Sequence, residues 1–336
     1  MIIDAFTHIC SKKYLAELRN HNDPRVRTWA EQIGVLDNNW PQFTDLKKRI
    51  TDMDKHSVDI QVACIHNRID PTRFLLSHSE EIRLCSILND TMAQLTEESQ
   101  GRVICLGTAP LNSLKDGGID EMRRAVKDLG IKGFMVLTNI GGVPIDKFID
   151  FWKTAKELEA VVYIHPTDPN QTVCRSYENE FDLIRTLGWP FETSLILLRL
   201  VLSGILEKLI GIRILAHHAG GMIPFFMGRI TELYSKSMTQ TRSDQIEQVR
   251  VGDNLHELFK KYFYYDTAVG DNVSAIRCAY EVLGAERLMF GTDYPYGPEG
   301  KPIILTTYPS LLKSLNIARD ELEYIIYLNA KKFLQI

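Results

Sequence analysis

Ile212-Arg213-Ile214-Leu215-Ala216-His217-His218-Ala219-Gly220-Gly221 reads as a short, almost continuously apolar run that stops abruptly at two histidines and two glycines. A strand that alternates apolar and polar residues has one wet face, whereas one that is apolar throughout is covered on both. Seven further runs of the same character surround it, at residues 2–5, 58–65, 103–106, 131–136, 160–164, 262–266 and 287–290. Between them lie stretches with a helical stripe: residues 78–99 carry Ile82, Cys85, Leu88, Met92 and Leu95, and 121–129, 147–158 and 194–209 are patterned alike. Parallel strands need crossover helices, and eight such repeats over about 290 residues predict the α/β class and a TIM (β/α)8 barrel. A doubly wound nucleotide sheet usually stops near six strands and opens on a glycine-rich turn; neither GxGxxG nor GxxxxGK[ST] occurs.

The chain, 1–336, reads as one domain with two departures from the alternation. Residues 11–41 are long and polar and carry Trp29 and Trp40, so they are expected to form a lid over the barrel mouth, with the tip at 20–27 choosing the substrate. Residues 306–315 and 318–334 read as extra closing helices at the C-terminus. Lys and Arg number 39 against 43 Asp and Glu, a net charge of −4 that offers no basic field for nucleic acid. The longest apolar stretch, 194–215, is broken by Arg199, Glu207, Lys208 and Arg213, which argues against a membrane span. No basic and apolar leader precedes the first strand, so the cytoplasm is the expected location. Six cysteines share no CxxC or zinc-finger spacing and are expected to be reduced and mostly buried.

In a βα barrel, chemistry collects at the carboxyl ends of the strands. There stand His8 after the first run, His165 after the fifth, His217 and His218 after the sixth, and Asp293 after the eighth. Imidazole nitrogens and a carboxylate oxygen from separate rigid strands can converge on one divalent ion and leave a position open for substrate or water, so His8, His165 and Asp293 are candidate metal ligands. Of the adjacent pair only one ring is expected to point inward. His218 is preferred, with His217 packing or supporting, and the two glycines are read as letting the backbone approach a ligand. His66, beyond the second strand, is a candidate for the pocket wall, and Asp266 for orienting an imidazole. His21, His56, His78 and His256 are expected on the surface or in helix packing.

At these residues the sequence resembles the amidohydrolase superfamily, in the branch of aminocarboxymuconate-semialdehyde, resorcylate and carboxyvanillate decarboxylases. The resemblance covers almost the whole chain. It rests on His218 followed by Gly220, Gly221 and, six residues on, Pro224; on Gly228-Arg229-Ile230; and on Gly291-Thr292-Asp293-Tyr294-Pro295. It implies a single metal, zinc first and manganese as the alternative, held by His8, His165 and Asp293. It assigns catalysis to His218 with Asp293, and gives Arg229 to the substrate of a neighbouring subunit in a homodimer. The chain departs from the pattern at Phe6, where the family carries a His or Glu ligand and a phenyl ring has no lone pair to give. Three protein ligands and water still satisfy a tetrahedral zinc, but metal occupancy becomes an open question. Phe6, His66 and Arg229 are expected to face the substrate. The arginine expected in the lid has no match near Leu36–Asn39.

The leading expectation is a metal-dependent, non-oxidative decarboxylase of a small aromatic or unsaturated carboxylic acid. Hydrolysis of a lactone or amide by the same metal is the second reading, and a metal-free barrel that binds a small acid is the third.

Overall fold

The structure is a computed structural model that describes residues 1–168, 181–234, 255–270, 272–296 and 310–336. Each of the eight apolar runs forms a strand: β1 (Ile3–His8), β2 (Ile60–Cys64), β3 (Val103–Cys105, resuming at Gly107–Thr108), β4 (Gly133–Leu137), β5 (Val161–His165), β6 (Arg213–Ala216), β7 (Phe263–Asp266) and β8 (Leu288–Met289). All neighbours pair parallel in chain order, β1 with β2 through to β7 with β8. The ring is closed by Ala5 N donating to Phe290 O at 2.7 Å and His8 N donating to Tyr294 O at 2.7 Å. The predicted barrel is therefore present, and the chain belongs to the α/β class.

Two boundaries differ from those read off the sequence, for reasons that matter at the site. β1 runs on to His8 because Phe6 O accepts from Thr292 N at 3.3 Å and Asp293 N at 3.0 Å, which keeps the strand extended. β8 is correspondingly short, since residues 291–294 leave its line to bond β1. Where β3 breaks, a Cβ on Gly107 would meet Asn89 Oδ1 at 2.6 Å.

The lid consists of α1 (Lys12–Arg19) and α2 (Pro24–Asn39). α1 starts where it does because the Ser11 hydroxyl caps it, accepting from Tyr14 N at 3.0 Å. Next comes α3 (Leu46–Lys55), capped by Asp45, which accepts from Lys48 N at 3.1 Å. At the C-terminus, helical residues run over 310–314 and again over 319–334, while 306–309 of the expected first closing helix lie outside the described residues. Of the cysteines described, Cys10, Cys64, Cys85 and Cys105 are buried and free and Cys278 is half-buried; Cys174 lies outside. No described helix is long and apolar enough to cross a membrane.

Asp4 pins the seam. Its carboxylate, fully buried, accepts from Thr292 Oγ1 at 2.6 Å, Thr292 N at 3.1 Å and Gln61 Nε2 at 3.2 Å. Burial outweighs these donors and pushes its pKa up to about 7. A raised native pKa means that the folded chain keeps a proton the unfolded chain has lost, so stability declines as pH rises from the ordinary carboxylate range through pH 7. Asparagine copies the neutral carboxyl. Asp4→Asn is expected to match wild type in urea melts at pH 5 and to exceed it by about 2 kcal/mol at pH 8. Parallel stability–pH curves for the two proteins would show that Asp4 does not titrate there.

Candidate active site

The mouth of the barrel gathers four imidazoles around one aromatic ring. His8, at the end of β1, sets its Nε2 3.2 Å from Asp293 Oδ1. Its Nδ1 faces Ile65 O at 3.2 Å. His165, at the end of β5, has its ring centre 5.2 Å from that of His8, and its Nδ1 donates to Pro166 O at 2.6 Å. His217 Nδ1 donates to Asp266 Oδ2 at 2.7 Å, and His218 Nδ1 to Ala268 O at 2.7 Å. Each ring thus has Nδ1 engaged by an oxygen. A neutral imidazole so anchored carries its lone pair on Nε2. Burial, reinforced by neighbouring imidazoles, lowers the pKa of His165 and of His217 well below the usual range and keeps both neutral.

Of the adjacent pair, His218 lines the cavity, whereas His217 is fully buried against Phe6, as expected; their rings lie 6.3 Å (His218) and 5.4 Å (His217) from that of His165. The backbone is left-handed at His218 (φ 55°) and Ala219 (φ 53°). Asp293 (φ 62°) is held in the same rare region. Strain concentrated on three residues of one site is a recurrent mark of function. Of the glycines that follow, Gly221 lines the cavity, and both also make room for the protein itself: a Cβ on Gly220 would meet the Tyr265 ring at 2.7 Å, and one on Gly221 would meet Pro190 O at 2.3 Å. Asp266 takes the orienting role expected of it, accepting also from His218 N at 2.9 Å.

Phe6, expected at the substrate, is instead fully buried beneath the histidines and does not reach the cavity. Its ring stacks on His217 at 3.6 Å and lies 5.0 to 5.9 Å from the other three imidazoles. Two residues before His8 on the same strand, it shares that residue's face and points to the barrel interior. The donors that remain suit a divalent ion: neutral imidazole Nε2 atoms, one carboxylate already 3.2 Å from His8 Nε2, and surroundings that exclude water from most of them. Among the described residues no three such side chains are already drawn together as a metal's ligands would be.

Above the histidines opens a cavity of about 740 Å³, a volume usual for a small-molecule site. His8, His66, His165, His218 and Asp293 line its floor, and the rings of Trp40, Trp189 and Tyr296 its walls. His66 stands where expected, 5.5 Å from His8 between ring centres, with Nδ1 accepting from Arg68 N at 3.0 Å. The lid contributes Gln32, Ile33 and Trp40 rather than its tip at 20–27, because α2 lies across the mouth and the tip points away from it.

Sequence reading missed Arg68 and Arg185, both in the wall. Arg185 is neutralised by Asp182. The Arg68 guanidinium lies 5.0 Å over the Trp29 ring, and its buried Nε has no acceptor, so a cation stands ready for an anionic ligand. It comes from the turn after β2 and brings an arginine to the cavity where the lid offered none. Arg229 does not reach this site: it is exposed on the helix Ile223–Leu233, beside the exposed Phe225 and Phe226. Of the other histidines, His21 is buried against Glu80 at 2.9 Å, and the exposed His78 pairs with Asp116 at 2.8 Å.

With this geometry in place, the chain can be compared with known proteins. A family model described as amidohydrolase matches residues 3–336. A 2-amino-3-carboxymuconate-6-semialdehyde decarboxylase from Dictyostelium discoideum is 28% identical over 252 residues, 74% of this chain and 66% of that protein, just under two thirds of its length. A gamma-resorcylate decarboxylase from Polaromonas sp. is 24% identical over 277 residues, 78% of this chain and 82% of its own. Among solved structures, the 5-carboxyvanillate decarboxylase of Novosphingobium aromaticivorans, complexed with manganese and 4-hydroxy-3-methoxy-5-nitrobenzoic acid, matches with a TM-score of 0.79 at 19% identity, covering 100% of this chain and 96% of that one. These relatives are decarboxylases of small acids, and the solved structure shares the fold. A match that runs from the third residue to the last, over a barrel whose strand ends carry these imidazoles and this carboxylate, makes the chain a member of the amidohydrolase family.

Proposed function

We propose that this protein is a non-oxidative decarboxylase of a small aromatic or unsaturated carboxylic acid, acting as a homodimer with one divalent metal. The observation that carries the reading is the shared cavity. His218 with its free Nε2, the His8–His165–Asp293 donor set and the unpaired cation of Arg68 all line the same 740 Å³. His8, His165 and Asp293 would hold the metal, which supplies Lewis acidity for the carboxylate and an adjacent substrate oxygen.

The chain's own residues account for the remaining steps. Trp40, Trp189 and Tyr296 sandwich a planar substrate, and Arg68 pairs with its anionic group. His218, its Nδ1–H held by the Ala268 carbonyl, takes up a second proton at Nε2 from solvent and delivers that proton to the carbon that bears the carboxylate. The electrons of the breaking C–C bond then return to the ring as CO2 departs, and His218 regains its proton from solvent. The exposure of Arg229 beside Phe225 and Phe226 supports reading it as a residue that serves a second copy of the chain, which is why a dimer is part of the reading.

The test is release of labelled CO2 from carboxyl-13C salicylate, 2,6-dihydroxybenzoate and 4-hydroxybenzoate. At least one is expected to turn over, and His218→Asn is expected to lower kcat by about 10²- to 10⁴-fold with an unchanged melting temperature. Hydrolysis of lactones without CO2 release would move the assignment to a hydrolase. Ligand binding with neither reaction would leave a small-acid binder.

A further inference from the structure

We infer that Trp29 is a positioning residue for anion binding: its indole, stacked with the guanidiniums of Arg68 and Arg73, seats the lid helix α2 on the turn after β2 and holds Arg68 at the cavity, so that the site takes a carboxylate in preference to a neutral ring of the same shape. The inference rests on the acidic substrate of the preceding reading and assigns its recognition to a residue that does not itself line the cavity.

The lid meets the barrel through cations. Trp29 stands half-buried on α2, with the guanidinium carbon of Arg68 5.0 Å and that of Arg73 4.9 Å from its ring centre. An indole face attracts a cation, more strongly where water is kept away. Two guanidiniums on one ring also repel each other, so each is steadied by an anion of its own. Arg73 has one: it donates to Asp168 at 2.6 Å and to Thr167 Oγ1 at 3.2 Å, just past the end of β5. Arg68 has none. No carboxylate among the described residues is in ion-pair contact with it, its buried Nε lacks an acceptor, and burial, then the neighbouring Arg185 cation, lowers its pKa.

The open side of Arg68 is the cavity, whose wall it helps to form. A carboxylate bound there supplies the counter-charge that Asp168 supplies to Arg73, and a guanidinium–carboxylate pair is among the strong, charge-assisted contacts. The same indole sets the roof. Gln32 and Ile33 lie three and four residues beyond Trp29, on its face of the helix, and both line the cavity. Removing the indole therefore frees the Arg68 guanidinium and loosens the roof above it. His8, His165, His218 and Asp293 stand on other elements, so the loss falls on affinity for the acid and not on the chemical step.

Salicylate and the neutral salicylamide are titrated into the purified protein by calorimetry. Wild type is expected to bind the acid at least about tenfold tighter than the amide. Trp29→Leu should weaken salicylate about tenfold and leave salicylamide within about twofold, and Trp29→Phe, which keeps a ring face, should recover most of the loss. In an Arg68→Met background Trp29→Leu should cost salicylate nothing further, because the two residues act as a unit. With an acid that turns over, Trp29→Leu should raise KM about tenfold and leave kcat within about twofold. Amide hydrogen exchange in wild type needs no substitution and decides the matter where Trp29→Leu does not fold: α2 should exchange more slowly with salicylate bound and not with salicylamide at equal saturation. Equal losses for acid and amide in Trp29→Leu, losses that add to those of Arg68→Met, or a wild type without preference for the acid overturns the inference. CO2 release with a KM indifferent to Trp29→Leu removes Trp29 while the decarboxylase reading stands. Salicylate binding that depends on Trp29 in a protein that releases no CO2 has the opposite meaning.

Discussion

Asp293→Asn is expected to lower decarboxylation by about 10³-fold or more and to leave the fold intact. The substitution is mild where stability is concerned. Asp293 holds a left-handed backbone at φ 62°, a conformation that asparagine tolerates nearly as well as aspartate, and its amide N–H, bonded to Phe6 O at 3.0 Å, is unaffected. What changes is the charge beside His8 Nε2, 3.2 Å away, in a site where burial keeps His165 and His217 neutral. Without that carboxylate the centre loses its only anionic donor among those named. A divalent ion then binds to neutral groups alone, and the positive character that would draw a substrate carboxylate falls with its occupancy. Melting curves should agree within about 0.5 kcal/mol, while bound metal and CO2 release fall together. A variant that keeps more than about a tenth of wild-type turnover would remove Asp293 from the chemistry.

How much of this was legible beforehand depends on how local each signal is. The eight strands could be read because a strand covered on both faces leaves a continuous apolar trace, and the site because polar residues interrupt those traces at their carboxyl ends. His8, His165, His218 and Asp293 were found in this way. The positive φ at His218 and Ala219 was not, since neither residue type announces that conformation. The burial of Phe6 depends on closure between β1 and β8, which joins residues almost 290 positions apart, as in the Thr292–Asp4 hydrogen bonds. Arg68 follows a histidine in a polar turn, and only the packing of Trp29 from the lid makes it part of the cavity. Gly220 and Gly221 were read as letting the backbone approach a ligand; Gly221 does line the cavity, and the contacts with Tyr265 and Pro190 are what the sequence did not show.

Arg49 belongs to the same class of hidden residue, and its removal should have the largest effect on stability. On sequence it is one cation of a charged helix, α3. In the fold it is fully buried, donating to Gln61 Oε1 at 2.8 Å, Thr7 Oγ1 at 3.2 Å and His8 O, with its guanidinium 4.7 Å over the Tyr294 ring. Burial lowers its pKa, yet a guanidinium stays charged, so its fork ties α3, β1 and β2 together directly behind the first candidate ligand. Replacing a buried ion pair by apolar residues is often neutral, but here the partners are backbone and amide oxygens that remain buried when the arginine is gone. Arg49→Met is therefore expected to cost about 3–5 kcal/mol, lowering the melting temperature by about 5 °C in a chain of 336 residues. Arg49→Lys should recover only part of that, because an ammonium cannot serve three acceptors arranged for a fork. Since the His8 carbonyl loses its anchor, CO2 release by the folded fraction should fall about tenfold or more, as a displacement near 1 Å is enough to misplace a catalytic group. A Met variant that melts with wild type would mean that α3 and β1 are held together by packing alone.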